Sequence, residues 1–241
     1  RVPMFVIHHR DVTPGNGPHP TLIYGYGGFN ISMTPGFYAT NFPWYEAGGV
    51  YVVANLRGGG EYGEEWHRDG MLESKQNVFD DLYACAEHLI EQGWTNPEHL
   101  AVMGGSNGGL LTGVAATQRP DLWSGVVSAV PLLDMLRYHK FLMARFWVPE
   151  YGSAENPEQF AWLRAYSPYH NIEPNRSYPA MLILAGENDS RVHPLHARKM
   201  AARMQWATAN HPNAAPVLLM VERDAGHGQG KPKSMRIQNL A

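Results

Sequence analysis

A chain of 241 residues, 44% of them hydrophobic, can bury a large core, and α/β folds of this length often form one domain. The formal net charge is −3 and lysine and arginine are evenly scattered, which leaves no basic face for nucleic acid or an anionic membrane. No apolar run approaches the roughly 18 residues of a membrane span. We expect a cytoplasmic protein without a nucleic-acid or membrane partner, and the oligomeric state stays open.

Apolar segments alternate along the chain with segments of helical periodicity. The predicted strands are Pro3–His8, Thr21–Tyr26, Gly49–Leu56, His99–Gly104, Ser124–Pro131, Ala180–Ala185 and Pro216–Glu222. The predicted helices, with apolar residues at i, i+3, i+4 spacing, are Val78–Gln92, Gly109–Gln118 and Pro194–Ala207. This alternation predicts an α/β fold with a mostly parallel central sheet and helices on both faces. Ligands of such folds bind beyond the carboxyl ends of the strands.

A glycine-rich loop follows the predicted strand Gly49–Leu56 and matches G-x-G-x-x-G at Gly58, Gly60 and Gly63. In a dinucleotide-binding loop, a helix opens at these glycines and receives the pyrophosphate. Here the next residues, EYGEEWHRDGML, contain three glutamates and no apolar helical stripe. Nucleotide binding is therefore a poor alternative, and we expect no cofactor.

Four glycines surround Ser106 in the segment LAVMGGSNGGLL, where an apolar strand meets a helical pattern. Residues 104–108 spell G-x-S-x-G, the nucleophile elbow in which a tight turn holds a serine hydroxyl above the end of a sheet. Such a turn needs glycine because side chains would clash with the closely packed backbone. A serine becomes a nucleophile only when a base, usually a histidine oriented by a carboxylate, removes its proton.

The acid and the base are expected after later strands, in the chain order serine, acid, histidine. Asp189 follows the strand Ala180–Ala185 in a polar loop, and His227 lies between two glycines after the last strand. We predict that Asp189 orients His227 and that His227 is the general base for Ser106.

Other acids and histidines receive less specific interpretations. Asp134 also follows a strand and stays an alternative to Asp189, whereas Asp80 and Asp81 have the pattern of an exposed helix start. His193 and His196 are three apart, a spacing compatible with two metal ligands on one helical face. No further cluster of carboxylates or cysteines accompanies them, so we expect no metal site. The lone cysteine, Cys85, falls in a helical apolar pattern and predicts a core position.

The segment IYGYGGFN spans the end of the second predicted strand and the glycine-rich turn after it, and Tyr26 stands at its centre. A glycine-rich turn at this place in an α/β-hydrolase commonly completes the oxyanion hole. The Tyr26 hydroxyl and the backbone N–H of Asn107 would supply two donors that are fixed before the charge develops. The alternative is that Tyr24 and Tyr26 are ordinary aromatic core residues.

Taken together, seven segments resemble the catalytic domain of the prolyl oligopeptidase family of serine peptidases: YGYGGFN, NLRGGGEYGEEWH, KQNVFDDL, GGSNGGLL, FWVPEYG, NDSRVHPLHA and AGHGQGKP. The resemblance spans nearly the whole chain. It implies an α/β-hydrolase fold in which Ser106, Asp189 and His227 form the catalytic triad. It also implies that Tyr26 and the Asn107 amide form the oxyanion hole.

The resemblance further implies an endopeptidase that cleaves proline-containing peptides on the carboxyl side of proline through an acyl-enzyme. Trp147 matches the indole that stacks on the proline ring, and Arg191 matches the arginine that holds a substrate carbonyl. The matching pocket walls are Phe29, Leu132, Tyr151 and Val192. Two alternatives stay open, namely a carboxylesterase that uses the same triad on small acyl esters and a non-catalytic binding domain.

Members of this family normally carry a β-propeller domain that restricts access to the site. No propeller repeat is present in residues 1–241, and the segment KPKSMRIQNLA only partly matches the terminal helix of the fold. The first residue is Arg1, and a strand-like pattern follows it at once. We therefore expect residues 1–241 to be one catalytic domain of a longer protein.

Overall fold

Seven strands form one sheet in the computed structural model, which describes residues 1–228. They are β1 (Met4–Ile7), β2 (Thr21–Tyr24), β3 (Val50–Ala54), β4 (Leu100–Gly105), β5 (Gly125–Ala129), β6 (Ala180–Gly186) and β7 (Val217–Glu222). Their spatial order is β1-β3-β2-β4-β5-β6-β7. Only the β1–β3 pair is antiparallel, and the other five neighbouring pairs are parallel. The predicted mostly parallel sheet is confirmed, and each predicted strand corresponds to one of these.

The α-helices of the described residues are α1 (Phe42–Glu46), α2 (Glu64–Arg68), α3 (Gln76–Glu91), α4 (Asn107–Gln118), α5 (Val148–Tyr151), α6 (Pro157–Tyr166) and α7 (Leu195–Thr208). The three predicted helices correspond to α3, α4 and α7. Helices α1, α2 and α5 are too short to show a periodic apolar stripe, and α6 buries only Leu163 and Tyr166. Within residues 1–228, no helix combines the length and the apolar character needed to cross a membrane.

Helices lie on both faces of the sheet, but the long ones share one face. Helix α4 packs on β4 and β5, where the buried Ser128 hydroxyl donates to the Gly109 carbonyl. Helix α3 packs against α4, and α7 packs on β6 and β7. On the opposite face, Trp44 of α1 and the β2 side chain Tyr24 line a cavity of about 410 Å³. The buried side of the sheet is therefore the side that carries α4 and supports the elbow at its start.

Two expectations about loops and helix ends need correction. Asp81 is buried inside α3 rather than exposed, and its carboxylate accepts hydrogen bonds from the backbone N–H, Nε and Nη2 of Arg57. These charge-assisted bonds compensate for the burial of the carboxylate. A short helix, α2, does open directly after Gly63, but Glu64 and Glu65 in its first turn place negative charge where a pyrophosphate would bind.

Cys85 lies in the core, buried within α3, in the position that its apolar surroundings predicted. Burial raises the pKa of its thiol to about 12, so the thiol stays protonated at neutral pH. The expectation for the segment KPKSMRIQNLA concerns residues that lie outside the described part of the chain.

Candidate active site

Ser106 forms the turn between the end of β4 and the start of α4. Its backbone has φ 58° and ψ −116°, a conformation that is strained for a residue with a side chain. The turn depends on glycine, because a Cβ atom on Gly108 would come within 2.6 Å of the Gly25 carbonyl oxygen. The Ser106 N–H donates to the Ala129 carbonyl at 2.8 Å, which ties the turn to the neighbouring strand. The hydroxyl is thereby held at the carboxyl end of the sheet.

The structure brings Ser106, His227 and Asp189 together. His227 Nε2 lies 3.0 Å from Ser106 Oγ, and His227 Nδ1 lies 2.6 Å from Asp189 Oδ2. The other carboxylate oxygen, Asp189 Oδ1, accepts the backbone N–H groups of Arg191 and Val192 at 2.8 and 2.9 Å. The carboxylate is therefore oriented by its own loop, and it fixes the orientation of the imidazole toward the serine.

The pKa of Asp189 is consistent with a carboxylate that orients His227. Burial alone would raise the pKa of Asp189, but the hydrogen bonds from His227 and from the Val192 and Arg191 amides outweigh it and hold the pKa below its ordinary value. Asp189 is therefore ionised at neutral pH and accepts a proton-bearing Nδ1. The Nε2 lone pair of His227 is then free to accept a proton from Ser106.

The alternative acid, Asp134, belongs to a different cluster. It is fully buried, accepts hydrogen bonds from Lys199 Nζ and Arg137 Nη1, and donates its backbone N–H to His196 Nδ1. Burial lowers the pKa of His196 to about 4, so the ring is neutral and serves as an acceptor. The described structure gives Asp134 no contact with His227, and its neighbours explain its burial without a catalytic role.

Tyr26 and Asn107 flank the Ser106 hydroxyl. Tyr26 lines the same cavity as Ser106. Burial raises the pKa of its phenol and outweighs the lowering effect of the neighbouring Ser106 hydroxyl, so the phenol stays a proton donor at neutral pH. Asn107 is the first residue of α4, so its backbone N–H has no acceptor inside the helix. Its side chain has a use that the sequence did not reveal, because Asn107 Nδ2 donates to the Tyr26 carbonyl at 2.5 Å and Oδ1 accepts from the Tyr151 hydroxyl.

A cavity of about 120 Å³ opens beside the serine hydroxyl. Its walls are mainly apolar and aromatic: Tyr26, Phe29, Ile31, Ser106, Leu132, Trp147, Tyr151 and Arg191. The Phe29 ring meets the rings of Trp147 and Tyr151 edge-on, with centroids 6.4 and 5.5 Å away. The cavity is thus a small slot with flat aromatic walls, open at the nucleophile.

Two residues of this region depart from the sequence expectations. Val192, predicted as a wall, does not line the cavity; it is buried, its amide holds Asp189, and its side chain lines a separate space with Pro131 and Ala185. Ile31 lines the cavity but was not predicted. No periodicity or motif in the sequence marks a single aliphatic residue in a loop as part of a pocket.

The fold and the elbow together define the protein as an α/β-hydrolase. The family model described as the prolyl oligopeptidase family matches residues 35–241. The chain belongs to that family.

Similar proteins agree with this membership. A prolyl endopeptidase of Elizabethkingia miricola is 43% identical over 232 residues, which cover 96% of this chain and 32% of that protein. A solved prolyl endopeptidase structure is 54% identical with a TM-score of 0.95, over 99% of this chain and 35% of its own. A post-proline cleaving enzyme from Rickettsia typhi is 40% identical with a TM-score of 0.87, over 94% and 32%. The chain thus spans about a third of the length of these relatives.

Proposed function

We propose that the protein is a serine endopeptidase that hydrolyses peptides on the carboxyl side of proline. The observation that carries this proposal is the position of Ser106 Oγ, 3.0 Å from His227 Nε2 and at the mouth of the aromatic cavity. The relatives named as prolyl endopeptidases support the same activity. We also propose that residues 1–241 are the catalytic domain of a longer chain, because the matched relatives are about three times as long.

In the proposed reaction, Ser106 Oγ bonds to the carbonyl carbon that follows the proline ring while His227 Nε2 takes the hydroxyl proton. The carbonyl oxygen becomes an oxyanion, which the Tyr26 hydroxyl and the Asn107 N–H stabilise, and Asp189 stabilises the imidazolium. The C–N bond then breaks as His227 returns the proton to the leaving amine. Water attacks the resulting ester with His227 again as base, which releases the proline carboxylate and restores Ser106.

The cavity supports recognition of proline. A pyrrolidine ring is small, rigid and weakly polar, so its recognition depends on shape and apolar contact with walls such as Trp147 and Phe29. Arg191 is exposed and lines the cavity, and its guanidinium offers a rigid set of donors for a substrate carbonyl. A charged side chain would lose its hydration against these mainly apolar walls.

We expect Trp147→Ala to lower the preference for proline over alanine before the cleaved bond by about 5- to 150-fold. This range corresponds to about 1–3 kcal/mol, the scale on which apolar pockets discriminate between substrates. The measurement is kcat/KM for paired peptides that differ only at that position. Trp206→Ala is the matched control, because Trp206 is exposed on α7 and does not line the cavity. An unchanged proline-to-alanine ratio in Trp147→Ala would refute the pocket assignment.

Activity should rise with pH on the acid side of the profile, because His227 must be neutral to accept the serine proton. Protonation of Asp189 should not add a second loss of activity near neutral pH, since its pKa is held below the ordinary carboxyl value. The measurement is the pH dependence of kcat/KM for a proline-containing peptide. A profile that requires two protons on its acid side would contradict this assignment.

The carboxylesterase alternative would use the same serine, base and oxyanion donors. A protein that hydrolyses a small aryl ester but leaves the proline peptide intact would favour the esterase, and one that hydrolyses neither would favour a binding domain. The low cysteine content, a single buried Cys85, supports the cytoplasm as the proposed compartment.

A further inference from the structure

The loop that carries Tyr26 and Phe29 has a backbone that needs outside support. Gly27, Phe29 and Asn30 have φ values of 64°, 58° and 57°, and the latter two are consecutive residues with side chains in the left-handed region. Such conformations persist only where the surrounding structure holds them. The contacts that hold this loop therefore decide where the Tyr26 hydroxyl and the Phe29 ring lie.

Three side chains from other parts of the chain hold three peptide groups of the loop. Asn107 Nδ2 donates to the Tyr26 carbonyl, and Lys75 Nζ donates to the Gly27 carbonyl at 2.9 Å. The Phe29 N–H donates to Glu150 Oε1, also at 2.9 Å. The strained segment is thus held by hydrogen bonds on both sides of Gly28, at the Gly27 carbonyl and at the Phe29 N–H.

Lys75 and Glu150 are themselves an ion pair, and both are almost completely buried. Lys75 Nζ lies 3.6 Å from Glu150 Oε1, and the side chains are 1% and 6% exposed. His67 Nε2 lies 2.9 Å from the other carboxylate oxygen, Glu150 Oε2, so the carboxylate is held at both oxygens. The Lys75 ammonium also lies over the Tyr151 ring, a wall of the cavity.

Burying an ion pair costs desolvation free energy for both charges. Apolar residues of similar volume often stabilise a fold as well as a buried pair does, because they avoid desolvation of the charges. Burial lowers the pKa of Lys75 to about 8, and the charge of Glu150 opposes this shift. The two charged ends lie where the strained loop presents a free carbonyl and a free N–H, groups that an apolar pair could not bind.

We propose that Lys75 and Glu150, with His67 fixing the Glu150 carboxylate, are positioning residues that hold the Tyr26 hydroxyl and the Phe29 ring in place for the transition state. This inference rests on the proposed function, because it takes Tyr26 as an oxyanion donor. A displacement of about 1 Å at a reacting centre can lower the rate by about 100-fold. Loss of the Lys75–Glu150 ion pair should therefore lower kcat.

The test is a double-mutant cycle between the ion pair and the Tyr26 hydroxyl. The variant Lys75→Met/Glu150→Gln removes both charges together and leaves no buried charge unpaired. We expect its kcat for a proline peptide to fall by about 10- to 100-fold. In the Tyr26→Phe background, the same pair of changes should lower kcat by less than about threefold, because the donor that the pair positions is already absent.

A destabilised control separates positioning from loss of structure. Leu89→Ala removes a fully buried side chain from α3. It should lower the melting temperature and give the same small kcat ratio with and without the Tyr26 hydroxyl. The inference is overturned if the ion-pair variant keeps the parental kcat, or if its loss is equal in both backgrounds. If that variant does not fold, Glu150→Gln alone is tested in the same cycle and judged by the same two outcomes, since Lys75 can then release its proton.

Running the cycle with an aryl ester distinguishes failure of this inference from failure of the proposed function. Attack on an ester forms the same oxyanion, so the coupling between the ion pair and Tyr26 should appear with that substrate too. A parent that turns over the ester but no proline peptide would refute the proposed function and still show the coupling. Additive losses with both substrates would refute the inference and leave the proposed function standing.

Discussion

Replacing Ser106 with alanine is expected to lower kcat for a proline-containing peptide by about 10⁴- to 10⁶-fold. Without Oγ no acyl-enzyme can form, and His227 Nε2 loses the hydroxyl that lies 3.0 Å away. The oxyanion donors and the pocket would leave only a small residual rate above that in water. The measurement is single-substrate kinetics on the purified variant, with its fold checked by circular dichroism.

A fluorophosphonate probe provides the matching covalent readout. It should label the parent at Ser106 and leave Ser106→Ala unlabelled. Ser124→Ala is the control, because Ser124 precedes β5 at the opposite end of the sheet and its hydroxyl donates to the Leu100 carbonyl. Ser124→Ala should keep both labelling and turnover. An adduct mapped by peptide mass spectrometry to another residue would overturn the assignment of the nucleophile.

Asp189→Asn is expected to lower kcat by about 10⁴-fold while the fold is retained. An asparagine amide can donate to His227 Nδ1, which favours the tautomer with the proton on Nε2 and removes the acceptor that Ser106 needs. The variant also lacks the negative charge that stabilises the imidazolium. Kinetics with the same proline peptide give the measurement.

Asp134→Asn is the matched control, because it makes the same chemical change at the other buried aspartate that follows a strand. Asp134 is paired with Lys199 and Arg137 rather than with His227. Its loss leaves Lys199 without a buried partner, so we expect a lower melting temperature and a kcat within a few-fold of the parent. If Asp134→Asn were the severe substitution and Asp189→Asn the mild one, the assignment of the acid would be wrong.

The strands and the elbow were predictable because their signals are local. An apolar run such as β6 is buried on the sheet, and the glycines around Ser106 are required by close backbone contacts that a motif encodes directly. The chain order of serine, acid and histidine fits both Asp189 and Asp134, and the resemblance to the family is what assigned the acid to Asp189. Short helices such as α2 carry too few residues for any period to be visible.

The buried pair Lys75–Glu150 and its hydrogen bonds to the loop that carries Tyr26 could not be predicted from the sequence, because these residues meet only through the tertiary fold. Glu150 contacts Phe29 and His67, which lie far from it in the sequence, and nothing local distinguishes it from an exposed glutamate. Asp81 was misjudged for the same reason, since its partner Arg57 lies in a loop 24 residues away. Val192, which the resemblance implied as a pocket wall, lines a separate space beside Pro131 and Ala185.

The proposed cleavage after proline is tested by mapping where the protein cuts a peptide that contains one internal proline. Products are identified by mass spectrometry, with the alanine version of the peptide and the Ser106→Ala variant run in parallel. One cut is expected, on the carboxyl side of the proline, in the parent alone. Cuts at other positions, equal cutting of the alanine peptide, or cutting by Ser106→Ala would contradict it.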